Sequence, residues 1–414
     1  MDNNQIDTGF LKVSATTEGT LFPIKNARIE ISGTGTPNEI LEILTTDESG
    51  NSDTVLLAAP PLEYSMFPSD NQPYSEYNIK IIAPGYEERI ITGVQIMSGQ
   101  TGVQSIPLIP NLQRQDIYNP TVIGGHTLWE YYPPKIAEAE VKPVNESGEI
   151  VLRRVVVPET IVVHDGVPTD PTATDYYVPY LDYIKNVACC EIYSTWPRAA
   201  IEANVLAIMS FTLNRVYTEW YRNKGYNFTI TSSTAYDHKW INGKTIYNSI
   251  SEVVDYLYGS YLARPGIKQP ILTQYCDGKR VTCPNWMSQW GSKALGDDGL
   301  SSTDIIRYYY GSNMYVNTAE IFSGIPSSYP GYDLSIGSSG EAVVQIQEQL
   351  NRISDNFPAI PKIQVDGIYG NATAESVRMF QKIFDMPVSG IVDYPTWYKI
   401  SQIYVGVTKI AENV

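Results

Sequence analysis

Residues 178–216 read VPYLDYIKNVACCEIYSTWPRAAIEANVLAIMSFTLNRV, and the rest of the chain can be organised around them. Leu181, Ile184 and Ala188 recur at the spacing that lines one face of a helix. Three residues further on, the same apolar face carries a carboxyl group, that of Glu191. A second apolar helix follows, with candidate core residues Ile201, Val205, Ile208, Met209 and Leu213. The stretch therefore predicts two packed helices with an acid at the seam between them, a position that needs a functional reason.

The short turn between the two helices predicts how the second one begins. Ser194 and Thr195 are the N-cap candidates because their hydroxyl groups can accept from free backbone N–H groups. Pro197 is predicted in the first helical turn, where its missing N–H costs nothing.

Length, composition and charge restrict the class of protein. The 414 residues, 43% hydrophobic and 18% charged, indicate a globular chain of about two to four domains. Residues 1–110 hold 14 acidic and 5 basic residues, and this segment therefore carries more than half of the net charge of −16. Such a surface repels phosphate, so no nucleic acid is expected as a partner. No apolar run reaches the roughly 18 residues that a membrane span needs, so no membrane insertion is expected.

The first ten residues, MDNNQIDTGF, lack the basic and apolar regions of a secretory signal. We therefore expect a protein that acts in the compartment that makes it or reaches its target by another route.

Residues 1–110 alternate apolar and polar side chains between turn signals, which predicts an antiparallel β-sandwich. The pattern resembles the prealbumin-like sandwich modules appended to other enzymes and surface proteins, and this resemblance implies a fold but no chemistry. Residues 111–154 mix Pro, Gly and charge without periodicity and indicate a connector. Arg153 and Arg154 lie at its end. An exposed connector before a compact domain is a preferred site for proteolysis.

Residues 155–325 are predicted to form a mixed α+β domain around the opening stretch. After the two helices, IYNSISEVVDYLYGSYL predicts a helix and IKQPILTQYC a strand. A last helix is expected to be capped by Ser301 or Ser302, with Asp304 in its first turn.

Residues 330–403 form a separate unit of helices and D-G or S-G turns, and they closely resemble the peptidoglycan-binding domain 1 family. The resemblance implies a three-helix bundle that holds a cell-wall glycan or its peptide stem. It is carried by Gly340, Val343, Leu350, Asp366, Gly367, Gly370, Thr373, Val377, Phe380, Gln381, Gly390, Asp393, Thr396 and Trp397.

The central domain resembles the family of stage II sporulation protein D, which are lytic transglycosylases of peptidoglycan. Two motifs carry this resemblance: a helix that ends in Glu followed by Trp-Pro and an Ala-rich helix, and Met-Ser-Gln-aromatic-Gly at residues 287–291 before a Tyr-rich helix. The resemblance places the family's catalytic acid on Glu191. Ile192 stands where the family usually has Met, and Met209 stands where it has an Arg.

The three parts together resemble the spore cortex-lytic enzymes of anaerobic spore formers. This resemblance implies a zymogen stored in the cortex or coat region of the spore, with spore cortex peptidoglycan as its substrate. It further implies a subtilisin-like germination protease as the activating partner, with the cut within residues 111–154. No cofactor is expected.

The chemistry expected at Glu191 is that of a single acid and base. A lytic transglycosylase protonates the leaving oxygen and then takes a proton from the C6 hydroxyl of the same sugar, which gives a 1,6-anhydromuramic product. A general acid must carry a proton, and the apolar residues Val187, Ala188, Ile192 and Trp196 favour the protonated form. Candidate substrate-binding residues are Trp196, Gln289, Tyr308 and Tyr309, with Asp237 and His238 as weaker candidates.

Three alternatives remain open at this stage. Cys189 or Cys190 could serve as a nucleophile, although neither has a histidine in a recognisable motif. Cys276 and Cys283 could form a disulfide or, with His238, hold a metal, but their spacing is not that of a zinc site and no metal is expected. The central domain could also be a non-catalytic scaffold of a wall-binding protein.

Overall fold

The computed structural model describes residues 7–18, 23–111, 120–142, 155–158, 160–319, 330, 332–384, 386–393, 396–397, 399–401 and 403–404. Within these residues the chain combines helices and sheets around several large hydrophobic cores. The predicted mixed α+β, multidomain class is therefore confirmed, whereas the predicted boundaries at residues 110, 154 and 325 stay predictions. No helix of the described part is both long and apolar enough to cross a lipid bilayer.

The strands in chain order are β1 (Asp7–Thr17), β2 (Arg28–Gly33), β3 (Thr36–Thr45), β4 (Val55–Ala59), β5 (Ser75–Ile82), β6 (Arg89–Ile96), β7 (Thr101–Leu108), β8 (Thr121–Val122), β9 (Thr160–His164), β10 (Asp175–Pro179), β11 (Ile230–Thr231), β12 (Ile246–Tyr247), β13 (Ser260–Ala263), β14 (Tyr275–Cys276), β15 (Met287–Ser288) and β16 (Tyr315–Thr318). The helices are α1 (Glu63–Met66), α2 (Tyr180–Glu191), α3 (Arg198–Tyr217), α4 (Asn248–Tyr256), α5 (Gln289–Asp297), α6 (Ser302–Tyr310), α7 (Glu341–Ser354) and α8 (Asn371–Ile383), with a 3-10 turn at Arg222–Lys224.

Two sheets pack face to face in the N-terminal part, in the orders β3-β2-β5-β6-β8 and β12-β7-β1-β4. Along β1, side chains alternate between the two faces, so that Leu11 and Val13 are buried against Ile29 and Ile79 of the opposite sheet. The expectation of purely antiparallel pairing is wrong, because β1 runs parallel to β7. The chain crosses from β6, in the other sheet, into β7, and β7 then runs in the same direction as β1.

The second sheet is completed by β12, a strand from far along the chain. β12 pairs antiparallel with β7, with Tyr247 opposite Gly102. A side chain at Gly102 would meet Thr245 Cγ2 at 2.8 Å, so a glycine is needed where the two parts approach. Thr245 Oγ1 also donates to Gln104 Oε1 at 2.9 Å. The central part of the chain is therefore joined to the N-terminal sheets by backbone pairing.

Helix α3 is the centre of the next core and is buried on all sides. It contacts α2, α4, α5, α6 and β13, while α2 also contacts the sheet of order β10-β9-β11. The predicted caps of α3 are wrong: Pro197 occupies the N-cap position, without a side-chain cap. Thr195 Oγ1 instead donates to Ser65 Oγ at 2.9 Å, because the N-terminal part of the chain covers this turn.

Three further predictions for the central region have different outcomes. The helix predicted from residue 246 onwards is shorter, because α4 ends at Tyr256 and the chain turns at Gly259, at φ 76°, into β13. Of the strand predicted for IKQPILTQYC, only β14 at its end is regular. The cap of α6 is confirmed, since Ser301 Oγ accepts from Asp304 N at 3.2 Å.

The C-terminal helices α7 and α8 enclose their own core, which includes Phe380 and Trp397. Residues 396–397 and 399–401 are also helical. Two buried glutamines stabilise the turns: the Oε1 atoms of Gln347 and Gln381 each accept from two backbone N–H groups of the turn that follows. The helical character predicted for this unit is confirmed.

Candidate active site

Glu191 is the last residue of α2 and is only 8% exposed. Its Oε1 accepts from Lys239 N at 2.7 Å, and its Oε2 accepts from Gln289 Nε2 at 2.8 Å. The same amide of Gln289 also donates to the Glu191 backbone oxygen at 2.7 Å. The structure thus brings together the predicted acid and one predicted substrate-binding residue, although they lie far apart in sequence.

Gln289 reaches Glu191 because a tight strand-to-helix turn fixes the start of α5. Ser288 caps α5 by accepting from Gly291 N at 2.9 Å. A side chain at Gly291 would meet the hydroxyl oxygen of Tyr309 at 2.1 Å, which explains the glycine of the Met-Ser-Gln-aromatic-Gly motif. Strand β15 pairs with β14, with Met287 opposite Tyr275. This pairing sets Tyr275 beside Gln289.

Tyr275 lines the pocket close enough to Glu191 to feel its charge. Burial, followed by the nearby charge of Glu191, raises the pKa of Tyr275 well above its ordinary value, so its phenol stays neutral. Its ring stacks on that of His238 with centroids 5.8 Å apart. Tyr275 therefore forms a neutral wall of the pocket at Glu191.

His238 and Asp237 are both fully buried behind this wall. Burial, with Lys135 and Arg215 nearby, lowers the pKa of His238 well below its ordinary value, and its Nδ1 lies 3.0 Å from the hydroxyl oxygen of Tyr183. Asp237 Oδ1 accepts from Arg215 Nε at 2.7 Å. Of these two weaker candidates, Asp237 therefore has a structural role.

The pocket at Glu191 has three walls. The central core provides Thr234, Lys239, Tyr275 and Gln289. The loop between β14 and β15 provides Cys276, Asp277 and Val281. The third wall comes from the predicted connector and consists of His126, Leu128, Tyr132, Pro133 and Lys135.

Residues 126–135 of this connector, named the strap here, are bound directly to the end of α2. His126 Nε2 donates to the Cys190 carbonyl oxygen at 2.5 Å, and Leu128 N donates to the Tyr193 hydroxyl at 3.0 Å. Burial, with Lys244 nearby, lowers the pKa of His126 to about 3, so this imidazole is neutral near pH 7. These residues of the predicted connector are therefore docked on the central part of the chain. The stretches 112–119 and 143–154, which include Arg153 and Arg154, lie outside the described residues.

The strap ends with a partly buried lysine. The Lys135 amino group donates to the Asp237 backbone oxygen and lies 4.6 Å from the centre of the Tyr275 ring. Burial lowers the pKa of Lys135, although the charges of Glu191 and Asp237 oppose this shift. A connector residue thus occupies space beside the candidate catalytic acid.

A buried ion-pair network holds the chain just beyond the strap. Both carboxyl oxygens of Glu138 accept from Arg215, at 2.6 and 2.9 Å, and the Lys142 amino group also donates to Glu138. Burial opposes the charge on Glu138, but Arg215 and Lys142 outweigh it and lower the pKa of this carboxyl group. Arg215 has no exposed side-chain surface.

The cysteines fall into two groups. Cys276 and Cys283 form a disulfide, so of the alternatives left open for this pair the disulfide is the one present. Cys189 and Cys190 are free and buried, and burial raises the pKa of their thiols to about 11 and about 12. Thiols in this state are poor nucleophiles near neutral pH. Among the described residues, no cluster of three or more His, Cys, Asp or Glu is arranged to hold a metal ion.

The other predicted substrate-binding residues do not line this pocket. Trp196 is 3% exposed, and its Nε1 donates to the Ser65 backbone oxygen at 3.0 Å. Tyr308 is 67% exposed, and its ring meets that of Tyr309 edge-on at 4.9 Å. The apolar residues Val187, Ala188 and Ile192 are buried as expected, but the carboxyl oxygens of Glu191 meet polar donors.

Sequence reasoning missed Lys239, Tyr275 and the strap. Lys239 acts through its backbone N–H, which leaves no side-chain signal. The strap has no periodicity and contacts residues about 65 positions away. The QYC stretch is predicted only as a strand, and no local pattern in it marks Tyr275 as a pocket residue.

Residues 339–400 match a family model described as "Putative peptidoglycan binding domain". This match lies within the predicted C-terminal unit, and it supports peptidoglycan as a partner of the chain. No curated protein matches the chain.

Several solved structures resemble limited parts of the chain. The SleB N-terminal domain is 26% identical, with 18% of this chain and 97% of that domain covered and a TM-score of 0.16. The Bacillus anthracis TIE protein is 19% identical over 25% of this chain and 17% of its own, and its TM-score is 0.19. A minor pilin of Streptococcus agalactiae is 16% identical over 28% of this chain and 49% of its own, also with a TM-score of 0.19. These scores are too low to carry a functional conclusion.

Proposed function

We propose that this chain is the zymogen of a germination-specific spore cortex-lytic enzyme of the SleC type. In this proposal the mature enzyme is a lytic transglycosylase that cleaves the glycan strands of cortex peptidoglycan, with Glu191 as its acid and base. The observation that carries the proposal is the Glu191–Gln289 contact, which joins two separate sequence motifs at one pocket. The peptidoglycan-binding match at residues 339–400 supplies the substrate class.

The carboxyl groups of the pocket favour a transglycosylase over a hydrolase. A glycoside hydrolase uses two carboxyl groups that flank the scissile bond. Besides Glu191, the pocket contains the carboxyl group of Asp277, whose Oδ1 accepts from the backbone N–H groups of residues 279, 280 and 281. Asp277 thus holds its own loop, which leaves Glu191 as the acid for a one-carboxyl reaction.

The reaction balances without water. The Glu191 carboxyl group gives its proton to the glycosidic oxygen as the bond from that oxygen to C1 of N-acetylmuramic acid breaks. The resulting carboxylate takes the proton of the C6 hydroxyl, and the C6 oxygen bonds to C1 to give the 1,6-anhydro product. Gln289 and Lys239 N–H orient the two carboxyl oxygens.

The proposed zymogen state follows from the strap. His126, Tyr132 and Lys135 line the pocket in the full chain and occupy space that a glycan needs. A subtilisin-like germination protease that cuts within residues 111–154, at a point after the strap, would break the covalent link between the strap and the central part of the chain and allow the strap to dissociate. We place the protein in the cortex or coat region of the spore, where both its substrate and this protease are found.

Product analysis tests the proposed reaction. The full chain is treated with the germination protease and incubated with purified cortex, and the released muropeptides are measured by mass spectrometry. Anhydromuramic ends are expected from the wild type, and a loss of more than about a hundredfold from Glu191→Gln. The neighbouring Glu202→Gln is the matched control, since Glu202 forms a surface ion pair with Arg198.

Other outcomes would contradict the proposal. Reducing ends would indicate a hydrolase, and no release would indicate a wall-binding protein without activity. Retention of a tenth of the wild-type release by Glu191→Gln would exclude Glu191 as the acid. Loss of release in a Cys189→Ala, Cys190→Ala variant that remains folded would favour a cysteine-dependent enzyme.

A further inference from the structure

The disulfide loop between β14 and β15 lines part of the Glu191 pocket and carries an arginine, Arg280. Three residues of this loop line the pocket, namely Cys276, Asp277 and Val281. In the sequence, Arg280 lies between Asp277 and Val281. The disulfide and the three backbone N–H groups that donate to Asp277 Oδ1 fix the course of the loop. The position of Arg280 relative to the pocket is therefore built into the fold.

Three residues hold the Arg280 side chain in the full chain. One of its terminal nitrogens donates to Asp70 Oδ1 at 2.7 Å. Its guanidinium carbon lies 4.4 Å from the ring centre of Trp129 and 4.2 Å from that of Tyr131. The Nε atom is buried and has no hydrogen-bond partner in the described structure. The guanidinium is thus stacked by two aromatic rings and only partly satisfied by one carboxylate.

All three partners of Arg280 precede residues 143–154, the part of the proposed cleavage segment that follows the strap. Asp70 belongs to the N-terminal part, and Trp129 and Tyr131 belong to the strap. Because the Asp70 side chain is 89% exposed, the ion pair is of the surface type and contributes little to stability. Removal of these partners would expose a planar set of N–H donors beside the pocket.

We propose that Arg280 is a substrate-binding residue that recognises a carboxylate of the glycan strand and sets a preference for strands that carry one. Asp70 occupies this carboxylate site in the full chain, and Trp129 and Tyr131 cover the guanidinium. The proposal rests on the proposed function for its substrate class. A guanidinium suits this role because its fork of donors matches the two oxygens of a carboxylate.

The carboxylate has two sources in peptidoglycan, and binding measurements can distinguish them. The first probe is the GlcNAc–MurNAc disaccharide, which has a free lactyl carboxylate. The second is the same disaccharide with a stem peptide, in which the lactyl group forms an amide and the carboxylates lie on the peptide. Each probe is compared with a form whose carboxylates have been converted to methyl amides.

Titration calorimetry is performed on the full chain that carries Glu191→Gln and an inserted protease site within residues 143–150, before the cut and again after the cut and removal of the dissociated N-terminal fragment. After the cut, we expect at least one free-carboxylate probe to bind about tenfold more tightly than its amidated form, as one charge-assisted contact would give. Arg280→Ala should abolish this difference. Lys279→Ala, which removes the same charge from an exposed position of the loop, should preserve it. Before the cut, no difference is expected.

Equal affinity of the cut protein for the free and amidated forms of both probes would overturn the proposal, as would a preference that survives in Arg280→Ala. If the free form of the first probe binds more tightly than its amidated form, the recognised carboxylate is that of the lactyl group. If only the second probe shows this difference, the carboxylate belongs to the stem peptide. Because turnover is blocked in this protein, the result stands apart from the test of the proposed reaction. A chain that binds carboxylates but releases no anhydromuramic ends would contradict only the proposed function.

Discussion

The side-chain amide of Gln289 donates to Glu191 twice, to the backbone oxygen at 2.7 Å and to Oε2 at 2.8 Å. With both hydrogens of the amide committed, the carboxyl group of Glu191 is held against the end of its own helix. A second donor, Lys239 N, fixes the other carboxyl oxygen. The orientation of the Glu191 carboxyl group is therefore set by residues from three separate parts of the chain.

Replacing Gln289 should impair catalysis more than binding. We expect Gln289→Ala to lower kcat about tenfold to a hundredfold with little change in KM, because the acid loses its orientation while the pocket remains. Product release from cortex after activation measures both constants. Gln381→Ala is the matched control, since this buried glutamine also makes several hydrogen bonds but lies in the C-terminal unit. Equal loss of kcat in both variants would indicate a general loss of stability instead.

The strap should detach more readily in mild acid. In the docked state the pKa of His126 is about 3, whereas a free histidine titrates near about 6.5. Below pH about 6.5 the detached state therefore binds one more proton than the docked state. The free energy of docking has its full value above this pH. It weakens by about 1.4 kcal/mol for each pH unit as the pH falls from there towards 3. Hydrogen exchange of residues 126–135, corrected for the intrinsic rate, should show less protection at pH 5 than at pH 7.

His126→Gln is the control for this pH effect. A glutamine can still donate to the Cys190 carbonyl oxygen, but it does not titrate. Its protection should be the same at both pH values. If His126→Gln shows the wild-type pH dependence, the histidine is not the group responsible.

Two glutamates two residues apart should differ in their contribution to stability. Glu138 pairs with the fully buried Arg215, whereas Glu140 pairs with Arg264 at a site where the Glu140 side chain is 38% exposed. We expect Glu138→Gln to lower the free energy of unfolding by about 2–4 kcal/mol, because the buried Arg215 keeps Asp237 but loses one of its two carboxylate partners. Glu140→Gln should cost less than about 1 kcal/mol. Urea unfolding of the two variants measures the difference, and equal costs would contradict the assigned burial of the Arg215 network.

The adjacent cysteines should be unreactive in the folded chain. Burial raises the pKa of Cys189 and Cys190 to about 11 and about 12, so almost no thiolate is present at neutral pH. Iodoacetamide at pH 7.5 should leave the native chain unmodified, and it should add two groups after unfolding without reduction, as read by intact mass. Rapid alkylation of the native chain would restore the cysteine nucleophile as a candidate.

Local patterns predicted the elements that depend on local chemistry. Side-chain alternation gave the strands around Leu11 and Ile29, and helical spacing gave α2 with Glu191 on its last turn. The cap at Ser301 was predictable because its partner, Asp304 N, lies three residues away. The contact of Glu191 with Gln289 was expected only through the resemblance to a known family, since no local pattern joins the two motifs.

The misses share one physical cause, which is partners distant in sequence. Trp196 looked like an open groove residue, but Ser65, 131 positions earlier, accepts its indole N–H. The strap looked like a linker because its contacts are side-chain and backbone hydrogen bonds that follow no period. Strand β12 has only two residues, too few for any alternation to be recognised.

The pairing of β12 with β7 means that one cut in the chain does not by itself divide the molecule. The N-terminal fragment would remain bound through a shared sheet, and it would have to dissociate before the pocket opens. Activation would then lag behind cleavage, and the fraction of enzyme that becomes active would rise on dilution. The released fragment, added back in excess, would behave as a reversible inhibitor acting between molecules.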